Sequence, residues 1–499
     1  MRWRFRLRPV VFSLLFLTGP VAACWSLFER DSRRQSLERT LSDLAARGES
    51  FDLDVLKPKV FAGQRNGAAD FLSAISKIHF ERTNKISPFC EMVMARVGSG
   101  AALVLSRTTN WPGSSEIEGD VEMVWRGLPE LLQQNQEALA GLQACRMHDT
   151  IVVHQGYGES PFSVRSPHLG DYKRANQLIL CATLLDLRTG SGHQVPQRLI
   201  NAVKLLGIYR GEYTVISQLV RHAVARMLAE AIWESFQVRV WSEPQLVELQ
   251  NAWRDVEFAE PLVAAGRFER AMGLIEWRGL MKSATSVKTV SESFKRFYGE
   301  GFWEDPARNA DYVFWLYWHA HQDAEFLVTE YQRLTEAMED LARLKSRRGV
   351  AGRFDYEPSP HHRFSRILYP ASSRFADRLA QVESIRSIAL AAVAVERFRI
   401  RNSRLPERLA DLRPQYLSRI PVDWFDGRHI RFRRVGLGQY LIYSVGENRI
   451  DDGGSTTGEE ERWFDELDLV WPIAGGAAQV EDARRRLSGE RVGFYDDEW

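Results

Sequence analysis

Between residues 215 and 232, apolar side chains fall in two adjacent columns, each stepping by four residues. Val215, Leu219, Ala223, Met227 and Ala231 make one; Ile216, Val220, Val224, Leu228 and Ile232 make the other. Residues four apart share a helix face. The pair of columns therefore predicts a helix with a wide apolar face that other helices must cover. The same period holds upstream, where Leu178, Cys181, Leu184 and Leu185 form a stripe and Leu199, Val203 and Leu206 begin the next. Segments 241–253, 259–277 and 311–345 continue the pattern, and 128–142 and 32–80 also read as helical. The fold class that follows is mainly α, built of helical hairpins. A solenoid-like arrangement is one form of it, although no strict repeat period is present.

The chain has 499 residues, enough for several domains and sizeable cores. Lys plus Arg is 66 against 65 Asp plus Glu, a net charge of +1. No global basic field exists, so nucleic acid is excluded as the expected partner. The 15 tryptophans are read as buried area in helical layers, the commonest use of large aromatics. Cys90, Cys145 and Cys181 have no CxxC spacing, and Cys181 sits inside an apolar helical stripe. A disulfide framework is not expected, although one pair remains open if the chain is exported.

Arg2, Arg4, Arg6 and Arg8 precede an uncharged run from residue 9 to 28. Twenty helical residues span about 30 Å, the thickness of a bilayer core. The flanking arginines predict a cytoplasmic N-terminus with the bulk of the chain outside the inner membrane. Three outcomes fit: a single-pass transmembrane signal-anchor, cleavage after the small residues Ala22 and Ala23, or a lipoprotein carrying lipid on Cys24. Each expects a partner in the membrane and a periplasmic body.

Candidate chemistry is sparse. Gly190-Ser-Gly-His193 lies between two helical stripes and lacks the strand-to-helix frame of a nucleophile elbow, so it reads as a helix-connecting loop. Gly156-Tyr-Gly-Glu-Ser160 fails for the same reason. His319, His321 and Glu325, with His361 and His362, contain no HExxH. His319 and His321 do not share a helix face, and His321 with Glu325 reads as a pair on a solvated face. The 312–318 run is bounded by Asp311 and His319 and is too short for a membrane span, so it reads as a buried helix segment. Glu459 to Glu461 read as a solvated acidic turn. No catalytic set is assigned. The loop Glu447-Asn448-Arg449-Ile450-Asp451-Asp452-Gly453-Gly454 is the one metal candidate. Its oxygen density, with glycines that let carbonyls turn inward, suits calcium held by Glu447, Asn448, Asp451 and Asp452. Its alternative is a solvated turn with Asx hydrogen bonds.

The C-terminal order is a small-residue helix from 383, then Leu405-Pro406, Pro421-Val-Asp423-Trp-Phe-Asp-Gly427, Tyr443-Ser-Val-Gly446 and Asp451-Asp-Gly-Gly454. This order resembles the C-terminal part of type II secretion major pseudopilins. It is similar also to the copy of that module in uncharacterised planctomycete and verrucomicrobial envelope proteins. The resemblance implies a helix near 381–401 packed on a hairpin of 430–435 and 439–445, a closing apolar segment at 468–472, and calcium in the acidic loop. Asn448 departs from the pattern where an acidic residue is common, as do Trp424 and His429 where prolines are common. The pilin start motif is absent, so the resemblance does not make the chain a pilin.

The expected divisions are 1–30 as membrane segment, 31–165 as a helical and loop-rich region and 166–370 as an all-α body. A pseudopilin-like α+β module follows at 371–475 and a tail at 476–499. The expected function is a membrane-tethered, envelope-facing, non-catalytic scaffold or interaction protein with protein partners, linked to secretion or envelope assembly. The alternative is an exported hydrolase whose site lies in the loops of 85–165.

Overall fold

The doubled columns do form a helix, and other helices pack against it. The computed structural model describes residues 7–79, 95–97, 101–103, 121–153, 166–210, 213–238, 240–283, 314–350, 359, 361–368, 373–435, 438–454, 468–471 and 473–474. The helices are α1 (Leu7–Ala46), α2 (Leu53–Leu56), α3 (Ala68–Ser76), α4 (Val121–Gln134), α5 (Gln136–Ala144), α6 (Pro167–Thr189), α7 (Val195–Ile208), α8 (Val215–Phe236), α9 (Glu243–Asp255), α10 (Ala259–Ser283), α11 (Ala320–Leu344), α12 (Arg363–Leu368) and α13 (Ser373–Asn402). Strands β3 (Arg431–Arg434), β4 (Tyr440–Ser444) and β5 (Leu469–Trp471) make an antiparallel sheet in the order 3-4-5. Three shorter strands, β1 (Ala95–Val97), β2 (Ala101–Leu103) and β6 (Ile473–Ala474), make a second, mixed sheet in which β2 runs antiparallel to β1 and parallel to β6. The chain is thus mainly helical with a small antiparallel sheet near its C-terminal end.

Helix α8 packs on α6, α7, α10 and α13. Val224, Leu228 and Ile232 are fully buried. Ile216, in the same column, is 62% exposed, and Val220 is half-buried. The inward face turns instead through Gln218, Arg221 and His222, all buried. Arg221 donates to Gln218 Oε1 at 2.7 Å and to the carbonyls of Leu206 and Glu257 at 3.2 Å. It ties the end of α7 to the chain after α9, where cations suit the last carbonyls of a helix. Burial pushes the Arg221 guanidinium down to about 10 and His222, beside it, down to about 3.

Helix ends follow local chemistry. Gly190 ends α6 at φ 78°, and the loop expected there is a short 3-10 turn leading into α7. Thr214 caps α8 through its hydroxyl, and Ser242 with Gln245 forms a capping box on α9. The single helix expected over 128–142 is two. Asn135 breaks it, is fully buried, and pairs with both main-chain groups of His79 at 2.8 and 3.1 Å. Of the 312–318 run, Trp315 is buried but Phe314 is 52% exposed. Trp233, Trp253 and Trp471 are also fully buried, as large aromatics that supply core area should be.

The expected transmembrane helix is corrected. Among the described residues no helix is long and apolar enough to cross a membrane. The apolar run does not stand alone: it belongs to the 40-residue α1, which continues through Glu29, Arg30, Asp31, Arg33 and Arg34. That charged half lies along α11. Arg33 donates to the Trp318 carbonyl, and Ser36 and Thr40 donate to Glu325 Oε1 at 2.9 and 2.8 Å. Leu37 and Leu44 are buried below them. Cys24 falls within this helix.

Helix α13 is the keystone of the C-terminal part. One side packs on α8 and α9, the other on β4 and β5. Small residues make this possible, since Ala389, Ala391, Ala392 and Ala394 are all fully buried. Arg397 forks onto Glu243 Oε1 and reaches Gln250 Oε1 at 2.6 Å, fastening α13 to α9. One contiguous apolar core runs from Leu37 to Trp471.

Candidate functional site

The hairpin and the acidic loop meet at Asp423. The hairpin pairs Arg431 with Tyr443 and Phe432 with Ile442, and β5 closes the sheet against β4. The Asp423 carboxylate is fully buried. Its Oδ1 accepts from Phe425 N–H at 3.0 Å and Ser444 Oγ at 2.8 Å; its Oδ2 accepts from Val445 N–H at 2.9 Å and from Arg431. Burial pushes the Asp423 carboxyl above its ordinary range, against the pull of those bonds. Burial also acts upward on Asp426, but there the hydrogen bond from Arg431 wins and holds the carboxyl below its ordinary range. Arg431 thus binds three acids: Asp423, Asp426 and, at 3.5 Å, Asp451.

The loop beyond Tyr443 is held by its own side chains. Asn448 Oδ1 accepts from Ile450 N–H at 2.9 Å, and its Nδ2 donates to Asp452 Oδ2 at 2.9 Å. Asp451 Oδ1 accepts from Gly453 N–H at 3.1 Å and from the Tyr443 hydroxyl at 3.0 Å. These are the Asx turns that the alternative reading named. Glu447 is exposed. Arg449 sits at φ 60° and Gly454 at φ 72°.

The sequence reading missed Asp468. It opens the segment taken as merely apolar, yet it is fully buried. Its Oδ2 accepts from Gly454 N–H at 2.7 Å, and it also receives the N–H of Asp452. Its Oδ1 has no hydrogen-bond partner. Burial, with the charges of Asp452 and Asp451 nearby, pushes the Asp468 carboxyl up to about 6. A buried oxygen without a donor, beside two further acids, is chemistry that a hard cation would satisfy. Asp468 fits that role better than Asp451, whose oxygens already face Tyr443 and Arg431, or Asp452, whose Oδ2 accepts from Asn448. Among the described residues no three His, Cys, Asp or Glu side chains converge in metal-holding geometry.

The histidines separate. His321 is buried with its ring 5.3 Å from that of Trp277, and Glu325 faces α1, so the expected solvated pair does not form. His362 stacks on Phe326 at 4.0 Å. His319 and His361 stack on each other at 4.5 Å. Cys145 and Cys181 are buried free thiols, and burial pushes Cys145 up to about 11. Segments 156–160 and 459–461, and Cys90, lie outside the described residues. No known protein family, curated protein or solved structure matches the chain.

Proposed function

We propose that this chain is a non-catalytic, envelope-facing scaffold or interaction protein whose C-terminal module is closed by calcium. What carries the reading is where the buried carboxylates of Asp323 and Asp423 and the half-buried one of Glu269 spend their bonding capacity. Asp323 accepts the main-chain N–H groups of Phe364 and Ser365, Glu269 accepts that of Val215, and Asp423 accepts those of Phe425 and Val445. Each carboxylate fastens segments of main chain in place. A catalytic acid or base instead keeps an oxygen or nitrogen for substrate.

The order helix, proline loop, Asp423 turn, hairpin and closing strand supports the pseudopilin-like reading of the C-terminal part. The solenoid-like reading draws support from the neighbour packing of α6, α7 and α8, while the return of α13 onto α8 and α9 weighs against a strict repeat. The calcium reading draws support from the partnerless Asp468 oxygen, with Asp452, Asn448, Asp451 and Glu447 as the surrounding oxygens.

Two measurements test this. Crosslinking in cells followed by capture of the full chain should recover defined protein partners; recovery of the chain alone would count against a scaffold. Calcium should raise the melting temperature of the full chain as its concentration passes the dissociation constant. Asp468→Asn should remove that rise. Absence of any shift into the millimolar range would leave the loop an ordinary turn.

A further inference from the structure

His222 lies where α8 meets the chain that joins α9 to α10 and the first turns of α13. It is buried, and neither of its ring nitrogens has a hydrogen-bond partner. The ring stands edge-on to Phe258, centroids 5.4 Å apart. The Arg221 guanidinium lies 5.4 Å from the centroid of the same phenyl ring. Phe258 thus touches a guanidinium and an imidazole at once. Helix α13 packs on α8, and Phe375, Ala376 and Leu379 in its first turns are buried. Arg378, among them, is exposed and donates to Gln381 at 2.9 Å.

The charges that act on the His222 ring are Arg221 and Arg378, and both are positive. Acids of the surrounding elements are turned to other groups. Glu257 pairs with Arg210 at 3.4 Å, and Glu260 acts on Arg221, as do the phenols of Tyr172 and Tyr209. Asp377, next to Arg378 on α13, holds Arg347 at 2.7 Å. Glu269 on α10 accepts from Val215 N–H and the Tyr331 hydroxyl. Glu230, further along α8, pairs with Arg226 at 3.3 Å, and Asp186 on α6 pairs with Arg198 at 2.6 Å. A neutral ring suits this seam. A protonated one would be a further cation there, with no acid to pair and no acceptor for either N–H.

We propose that this joint is opened by acid: protonation of His222 releases the first turns of α13 from α8 and Phe258. Those turns are the ones to move because Arg378 is already exposed there, so lifting them takes the imidazolium to water. A tie that must yield is the one from Arg347 to Asp377. Further along α13, Arg397 stays fastened to Glu243 and Gln250, and Glu396 to the Tyr440 hydroxyl, so the opening stops short of the sheet. The ordinary histidine value is 6.5, and the closed joint holds the ring down at about 3, by burial first and then by Arg221 and Arg378. The closed state is therefore favoured in full above about 6.5 and loses ground as pH falls toward 3. Between pH 7 and pH 5 the opening equilibrium should shift by about 25-fold.

The test is hydrogen exchange on the full chain at pH 7 and pH 5, corrected for the intrinsic pH dependence of exchange. Protection in 256–262 and 373–380 should fall by about 25-fold on acidification, while 178–187 in α6 keeps its own. His222→Phe should fold at pH 7, since the ring nitrogens it removes bond nothing, and it should abolish most of the fall; His222→Leu serves as the smaller variant. A second reading needs no variant to be stable in acid. In the native chain, labelled at the histidine ring carbons, the His222 resonance is identified at pH 7 by its absence from either variant. It should keep its neutral position down to pH 5 in the closed state. A fall in protection spread evenly over 178–187 and the joint, a fall undiminished in both variants, or a His222 ring that titrates near 6.5 with the joint still closed overturns the proposal.

Discussion

Asp323→Ala should loosen α12 from the body, and the size of the effect follows from its contacts. The carboxylate accepts from Trp315 Nε1 at 3.0 Å, Phe364 N–H at 2.7 Å and Ser365 N–H at 3.0 Å, and from the Ser365 hydroxyl. Alanine strands three buried N–H donors at about 1–3 kcal/mol each, or roughly 3–9 in all. Against this stands a gain. Burial raises the Asp323 carboxyl from 3.8 to about 6, so its ionised form is disfavoured by roughly 3 kcal/mol at neutral pH. The stranded donors win, leaving a net loss of about 3 kcal/mol at pH 7 for a mid-range donor cost. The folded pKa is the higher one, so this group's stabilisation is full below the unfolded pKa and is lost as pH rises through about 6. The native chain therefore regains about 1 kcal/mol on going from pH 7 to pH 5, a gain the variant lacks. Hydrogen exchange in 361–368 reads the effect locally. Protection should fall by about two orders of magnitude in the variant, and the gap should widen at pH 5. Equal protection, or a gap that ignores pH, would refute the reasoning.

Val224→Asp places an unpaired charge at a fully buried position, and should cost several kcal/mol and collapse thermal unfolding to lower temperature. Ile216→Asp, eight residues earlier in the same column but exposed, should change the melting temperature little. Gly454→Ala must adopt φ +72° and set its Cβ 2.5 Å from Leu441 Cδ2; a drop in melting temperature larger than for Gly438→Ala, where nothing lies within 4 Å, checks this. Glu49 is held below its ordinary range because the Arg270 hydrogen bond and charge outweigh burial. Its stabilisation is present above the unfolded pKa and lost as pH falls through the folded one, so Glu49→Gln should narrow the difference in melting temperature between pH 7 and pH 3.

Helices and hairpin were legible because their signals are local. The period of Leu178, Cys181 and Leu184 needs only the next turn of helix, and the alternation of Ile430, Phe432, Tyr440 and Ile442 needs only the next strand. What escaped depended on partners far along the chain. Arg221 looks like a surface residue until Leu206 and Glu257 present their carbonyls to it. Asn135 looks like part of a helix until His79 arrives with both main-chain groups. Asp468 stands in an apolar segment, and only the fold brings it under Gly454. The apolar run before Phe28 was legible as composition, but its continuation into a charged half docked by Arg33, Ser36 and Thr40 rests on Trp318 and Glu325, some 285 residues away.

The position of α13 between helices and sheet has a consequence for how the chain is made. Arg397 and its partner Glu243 are 154 residues apart. At about 5–20 residues per second, a ribosome needs roughly 8–30 s to go from one to the other. For the later part of that interval α8 and α9 are outside the exit tunnel with the face that α13 will occupy still bare. The nascent chain therefore carries an adhesive apolar strip until synthesis passes Asn402, and that strip is where a folding chaperone would first take hold.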